Sequence, residues 1–130
     1  MSFAIDRIDH LVLTVRDLEA ALGFYERVLG ARIVPPPGGR GPTAVAFGRQ
    51  KINIHVAGKE FEPKATAPTV GAGDFCLITE QPVESVVAHL KACGVAIEVG
   101  PVPRFGALGK MTSVYFRDPD GNLVEVAKYD

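Results

Sequence analysis

His10, His55, Asp74 and Glu125 are the residues of this chain whose types and spacing suit a divalent cation. Imidazole serves Zn, Ni, Co, Fe and Mn, while carboxylates add charge and favour the harder ions. Four protein donors with room for one or two waters would leave positions open for a substrate's oxygens. Taken singly, each has an ordinary explanation. A histidine at a strand start is commonly structural, and Asp74 could simply end a polar connector. Glu125 is harder to dismiss, because it lies inside the apolar run Leu123-Val124-Glu125-Val126 and glutamate is rarely buried without a partner. Placement ties the four together. His10 precedes Gly30 by twenty positions and Asp74 precedes Gly94 by twenty. His55 follows Phe47 by eight positions and Glu125 follows Phe116 by nine.

These intervals imply a unit that occurs twice. In the first copy, Ile8–Val15 is rich in branched residues and short enough for a strand. Asp17 is a good N-cap for a helix whose apolar face is Leu18, Ala21, Leu22, Tyr25, Val28 and Leu29, with Gly30 as terminator. A short strand Arg32–Val34 ends at Pro35-Pro36-Pro37-Gly38-Gly39, and strands Thr43–Phe47 and Lys51–Val56 should form a hairpin. The second copy predicts a strand Asp74–Thr79 and a helix opened by Pro82, with Val83, Val86, Val87, Leu90 and Cys93 as its stripe and Gly94 as its end. Strands follow at Ala96–Val99, Thr112–Phe116 and Asn122–Ala127, the last two joined by the turn Asp118-Pro119-Asp120-Gly121. The fold class is therefore α+β: two βαβββ modules, at about 5–57 and 74–129, with a connector at 58–73. Alternation puts His10 and Asp74 on the strand face turned away from the helices. If the two sheets curve around one cup, the four donors can meet on its floor.

The segment Val102–Lys110 reads as a long loop. Within it, Arg104 and Phe105 make a candidate substrate lip: the cation would recognise an anion, Phe105 would cover the pocket, and Gly106 and Gly109 would permit closure.

Composition narrows the partners. The 130 residues are 47% hydrophobic, enough for a core, and 14 Lys+Arg against 15 Asp+Glu give a net charge of −1. That balance supplies no basic stripe, so no nucleic-acid partner is expected. No apolar run approaches the roughly 18 residues of a membrane span, and the first residues carry no signal-peptide core, which predicts a cytoplasmic protein with no membrane partner. Cys76 and Cys93 are expected to be reduced and mostly buried. Unpaired sheet edges and apolar surface predict a homodimer.

The segments Ile8–Leu18 and Phe24–Gly30 resemble the opening of vicinal oxygen chelate proteins, and Phe116–Glu125 resembles their closing motif. That superfamily takes in glyoxalase I, extradiol dioxygenases, methylmalonyl-CoA epimerase, and the fosfomycin and bleomycin resistance proteins. Lys59–Lys64 and Arg104–Gly109 are further similar to the glyoxalase domain-containing protein 5 group. The resemblance implies paired βαβββ modules forming a curved mixed sheet around a metal-binding cup, commonly in a homodimer. It carries His10, His55, Asp74 and Glu125 onto four ligand places, with one divalent ion between them. Glyoxalase I has a carboxylate at the His55 place and histidine at the Asp74 place, so the inventory is kept while its order changes. Asp74 also counts against a ring-cleaving dioxygenase, whose histidine stands there.

By the same resemblance Glu125 is the base. A Lewis acid holding two adjacent substrate oxygens would stabilise an enediolate, while Glu125 moves a proton between neighbouring carbons. The expected activity is a glyoxalase-like, lactoylglutathione lyase-like lyase or isomerase acting on a small molecule with vicinal oxygens. Glutathione as a cosubstrate is left open, since nothing in the sequence marks a tripeptide site. The alternative is a small-molecule binding protein of the bleomycin-resistance kind, without catalysis.

Overall fold

The computed structural model describes residues 2–130, which divide into two compact units at the Pro68/Thr69 boundary. Each unit is a βαβββ module, and the two share one topology. In the first, the chain runs β1 (His10–Val15), α1 (Leu18–Leu29), β2 (Arg32–Val34), a 3-10 turn at Pro37–Gly39, β3 (Thr43–Phe47) and β4 (Gln50–Val56). The second unit runs β5 (Asp74–Ile78), α2 (Val83–Ala92), β6 (Val99–Gly106), β7 (Gly109–Arg117) and β8 (Leu123–Tyr129). The sheet orders are β1-β4-β3-β2 and β5-β8-β7-β6, with the first pair parallel and the others antiparallel in each.

Local chemistry accounts for the helices. Asp17 caps α1 by accepting a hydrogen bond from the Glu19 backbone N–H at 3.1 Å, and Gly30 ends it in the left-handed conformation, with φ 68°. Ala21, Leu22, Tyr25 and Val28 are buried on one face, as their spacing requires. Around the first sheet the core adds Leu13, Val15, Val45, Ile52 and Ile54. In α2 only Leu90 of the apolar stripe is fully buried, and it belongs to the second unit's core with Val114, Phe116, Val124 and Val126.

Three expectations are corrected. Residues Ala96–Glu98 are not strand, and Val102–Lys110 is not a long loop: β6 and β7 form one extended hairpin turning at Ala107-Leu108, with Arg104 opposite Met111 and Gly106 opposite Gly109. Pro101 and Pro103 made the segment look irregular, but β6 is an edge strand, where a missing N–H leaves no central ladder bond unmade. The thiols are also less buried than expected: Cys76 is exposed and Cys93 half-buried.

A further correction concerns which positions of the two copies correspond. In β1 and β4, His10 stands opposite Lys51, Val12 opposite Asn53 and Thr14 opposite His55. In β5 and β8, Asp74 stands opposite Leu123 and Cys76 opposite Glu125. His10 and Asp74 are thus equivalent, but the counterpart of Glu125 is Asn53, and that of His55 is Ala127. The anchoring pair is Val45 and Phe116, both fully buried, rather than Phe47 and Phe116.

Candidate functional site

The helix-free face of the second sheet presents three rows of side chains. Asp74, Leu123 and Arg117 form the first, Cys76, Glu125 and Tyr115 the second, and Ile78, Ala127 and Ser113 the third. Glu125 is half-buried, and its Oε2 has no hydrogen-bond partner. Ser113 Oγ, one row away, is likewise buried and unpartnered. Such atoms have lost water without gaining a donor or acceptor, an arrangement that costs stability unless a ligand completes it. Cys76 is exposed as a residue, but its thiol lies against the Glu125 carboxylate. Loss of solvent at the sulfur and the neighbouring negative charge push this thiol up to about 12, so it is neutral at physiological pH.

The end of the sheet that carries Asp74 is held by a buried turn. Asp118 Oδ1 accepts from the backbone N–H groups of Asp120 and Asn122, both at 2.9 Å, and its Oδ2 accepts from Asn122 Nδ2 at 2.8 Å. Asn122 Oδ1 in turn accepts from the N–H of Gly73 at 2.7 Å, and Leu123 N–H donates to Gly73 O at 2.9 Å. The residue before Asp74 is therefore clamped to the start of β8. Arg117 donates to both carboxylate oxygens of Glu98 at 3.0 Å and to Gly121 O at 3.1 Å. The Arg117 guanidinium holds the Glu98 carboxyl below the usual carboxylate range.

Arg104 is not on a mobile lip. Its Nε donates to Tyr115 Oη at 2.9 Å, its Nη1 donates to Pro103 O at 3.0 Å, and its guanidinium lies 5.3 Å from the Tyr115 ring centre. Phe105 pairs with Lys110 on the opposite face and is 82% exposed, so it does not cover the face that Arg104 occupies. Gly106 is a packing position rather than a hinge. A Cβ there would lie 2.4 Å from Tyr129 Oη, the hydroxyl that accepts from Leu108 N–H at 3.1 Å.

In the first unit, His10 is exposed at the start of β1. Its Nδ1 lies 2.8 Å from Asp9 Oδ2, and because a carboxylate only accepts, Nδ1 is the donor of this contact. This contact holds the Asp9 carboxyl below its ordinary range. His55 is buried, edge-to-face with Phe61 at 5.6 Å between ring centres. Asn53 is half-buried, and its Oδ1 is the third buried side-chain atom without a partner among the described residues. Within either unit, no three His, Cys, Asp or Glu side chains among the described residues group closely enough to hold an ion. His10 and Asn53 in one unit, and Asp74 and Glu125 in the other, occupy matching register positions.

Sequence reasoning missed Asn53, Cys76, Ser113 and Tyr115. Strand alternation could have placed the last three on the face of Glu125, but nothing local distinguishes an orphaned hydroxyl from a surface one.

The βαβββ unit occurs twice, with His10 and Asp74 at matching strand starts. Residues 7–126 match the model of the Glyoxalase/Bleomycin resistance protein/Dioxygenase superfamily, and the chain belongs to it. It is 51% identical over 125 residues to virulence protein STM3117 of Salmonella typhimurium, covering 96% of this chain and 85% of that one. The crystal structure of that relative superposes with a TM-score of 0.95 at 49% identity, over 98% of this chain and 100% of the other. Lactoylglutathione lyase from Agrobacterium tumefaciens gives a TM-score of 0.73 at 26% identity, covering 96% and 95% of the two chains. TnmS3, an antibiotic-binding protein from a Streptomyces species, gives 0.74 at 26%, covering 98% and 99%.

Proposed function

We propose that this protein is a glyoxalase-like lyase or isomerase, dependent on one divalent metal and acting on a small molecule with vicinal oxygens. The observation that carries the reading is Glu125 Oε2, a buried carboxylate oxygen with no hydrogen-bond partner. A carboxylate oxygen so placed has an acceptor position open to a cation. The chemistry of the donors fits a divalent ion: His10 and His55 offer imidazole nitrogens, Asp74 stands at the strand start matching His10, and Glu125 and Asn53 supply oxygens. His10, His55, Asp74 and Glu125 are the residues proposed to hold the ion, and Asn53, at the register position matching Glu125, is the alternative to His55. Zn, Ni, Co, Mn and Fe all suit this set. When bound, the ion supplies Lewis acidity to the substrate's adjacent oxygens.

Glu125 would take a carbon-bound proton on the carboxylate oxygen not engaged by the ion and return it to the neighbouring carbon, the neutral Cys76 thiol beside it adding no competing charge. The buried turn at Asp118–Asn122 keeps Asp74 and the start of β8 in register, so that Glu125 does not drift from the substrate. The closer affinity to the glyoxalase domain-containing protein 5 group rests on Lys59–Lys64 and Arg104–Gly109.

Deuterium exchange in heavy water tests the reading, with the metal-reconstituted protein and the hemithioacetals of methylglyoxal with glutathione or mercaptoethanol. Wild type should form product with deuterium on the carbon next to the original carbinol carbon, and Glu125→Gln should lower the rate by about 10²- to 10⁴-fold. Absence of exchange with every metal would overturn it. The likeness to an antibiotic-binding protein, equal in degree to the likeness to a lyase, favours one competing reading: ligand sequestration without turnover.

A further inference from the structure

We propose that Arg104, Tyr115 and Ser113 form an oxyanion subsite beside Glu125, so that the substrate carries a negatively charged group next to its vicinal oxygens. The inference deepens the function proposed above and rests on it for the identity of the neighbouring reactive group.

The geometry lies wholly on the second sheet. Tyr115 is directly opposite Glu125, and Ser113 is directly opposite Ala127, one row along the same face. Val102 and Ala127, the residues flanking Ser113, are small and apolar and offer its hydroxyl nothing. Ser113 is fully buried, yet Oγ has no partner, so it is a donor held in reserve for a molecule that the protein does not itself contain. Arg104 shares this face. Tyr115 and the Pro103 carbonyl engage Nε and Nη1, fixing the guanidinium plane, and no carboxylate pairs with it among the described residues.

The contrast with Arg117 is informative. That guanidinium, on the same strand face, is satisfied by Glu98 on both arms of its fork. Arg104 is instead oriented by neutral groups, and its charge is left for a ligand. A planar guanidinium with its orientation fixed in advance loses little freedom when an oxyanion arrives. With Glu125 to move a proton and Arg104 and Ser113 to hold a charged oxygen, the face would read two features of one small substrate.

Calorimetric titration of the wild-type protein with dihydroxyacetone phosphate, hydroxypyruvate and neutral dihydroxyacetone tests this. The first two carry a phosphate or a carboxylate, and all three carry adjacent oxygens. At least one anionic probe should bind tenfold or more tightly than the neutral one. Arg104→Gln should cost that probe roughly ten- to a hundredfold in affinity and leave dihydroxyacetone unchanged. Arg104→Lys should recover part of the loss, and Ser113→Ala should weaken the anion by a smaller factor. If neither anion is preferred by the wild type, or if Arg104→Gln keeps the preference, the subsite is overturned. Metal content, read separately on wild type and Glu125→Gln, reports on the lyase reading, so the two can fail independently.

Discussion

Asn53 and His55 lie two residues apart on one face of β4, and in the proposed metal set one of them would supply the fourth donor. We propose Asn53 for it, because Asn53 stands to Val12 as Glu125 stands to Cys76 and its Oδ1 is buried without a partner. His55 is packed against Phe61 and is only 5% exposed, as a core side chain would be. Asn53→Ala should therefore weaken metal binding by about tenfold or more, with little loss of stability. His55→Ala should leave metal content unchanged and cost roughly 2–3 kcal/mol through the cavity it opens. Elemental analysis with urea unfolding of both variants checks the assignment. Metal lost from His55→Ala alone would return the place to the histidine.

Among the elements, the turn between β7 and β8 does more than reverse the chain. Asn122 is almost wholly buried and joins Asp118 to Gly73, so it links the turn, the end of the connector and the strand that begins with Asp74. Asn122→Ala would strand a carboxylate oxygen and a backbone N–H away from water, at roughly 2–4 kcal/mol. A fall of that size in unfolding free energy by urea titration is the expected result, and a loss below about 1 kcal/mol would mean that solvent replaces the amide. The β6–β7 hairpin is held as tightly. Gly100 adopts φ 113°, and a Cβ there would come within 2.4 Å of Ser113 O, so close approach at this bulge sets where Arg104 falls along β7.

At the scale of the molecule, β1 and β2 bound one sheet and β5 and β6 the other. Val12 on β1 and Ile78 on β5 are exposed apolar residues on such edge strands, and Ile8 is exposed just before β1. Open edges with apolar side chains favour self-association, and we propose a homodimer. Light scattering should give about twice the chain mass, and a mass independent of concentration and equal to one chain would end the proposal. No helix among the described residues is long and apolar enough to cross a membrane.

Periodicity and capping are properties of neighbouring residues. That is why the two βαβββ modules, the helix stripe of α1, its Asp17 and Gly30 ends, and the equivalence of His10 with Asp74 could all be read from the chain itself. The partner of Val12 was beyond that reach. Side chains of a strand alternate with a period of two, so sliding β4 by two residues exchanges Asn53 for His55 and leaves every apolar residue on its own face. Local pattern is blind to that slip. Only the packed sheet, in which Val45 is fully buried and each backbone group has a definite partner across the ladder, separates the two registers. The same holds for β6, where two prolines and two glycines read as a loop until an edge position made their missing ladder bonds harmless. The orphaned oxygens of Asn53, Ser113 and Glu125 likewise emerged only when tertiary packing removed water from polar groups it did not otherwise satisfy.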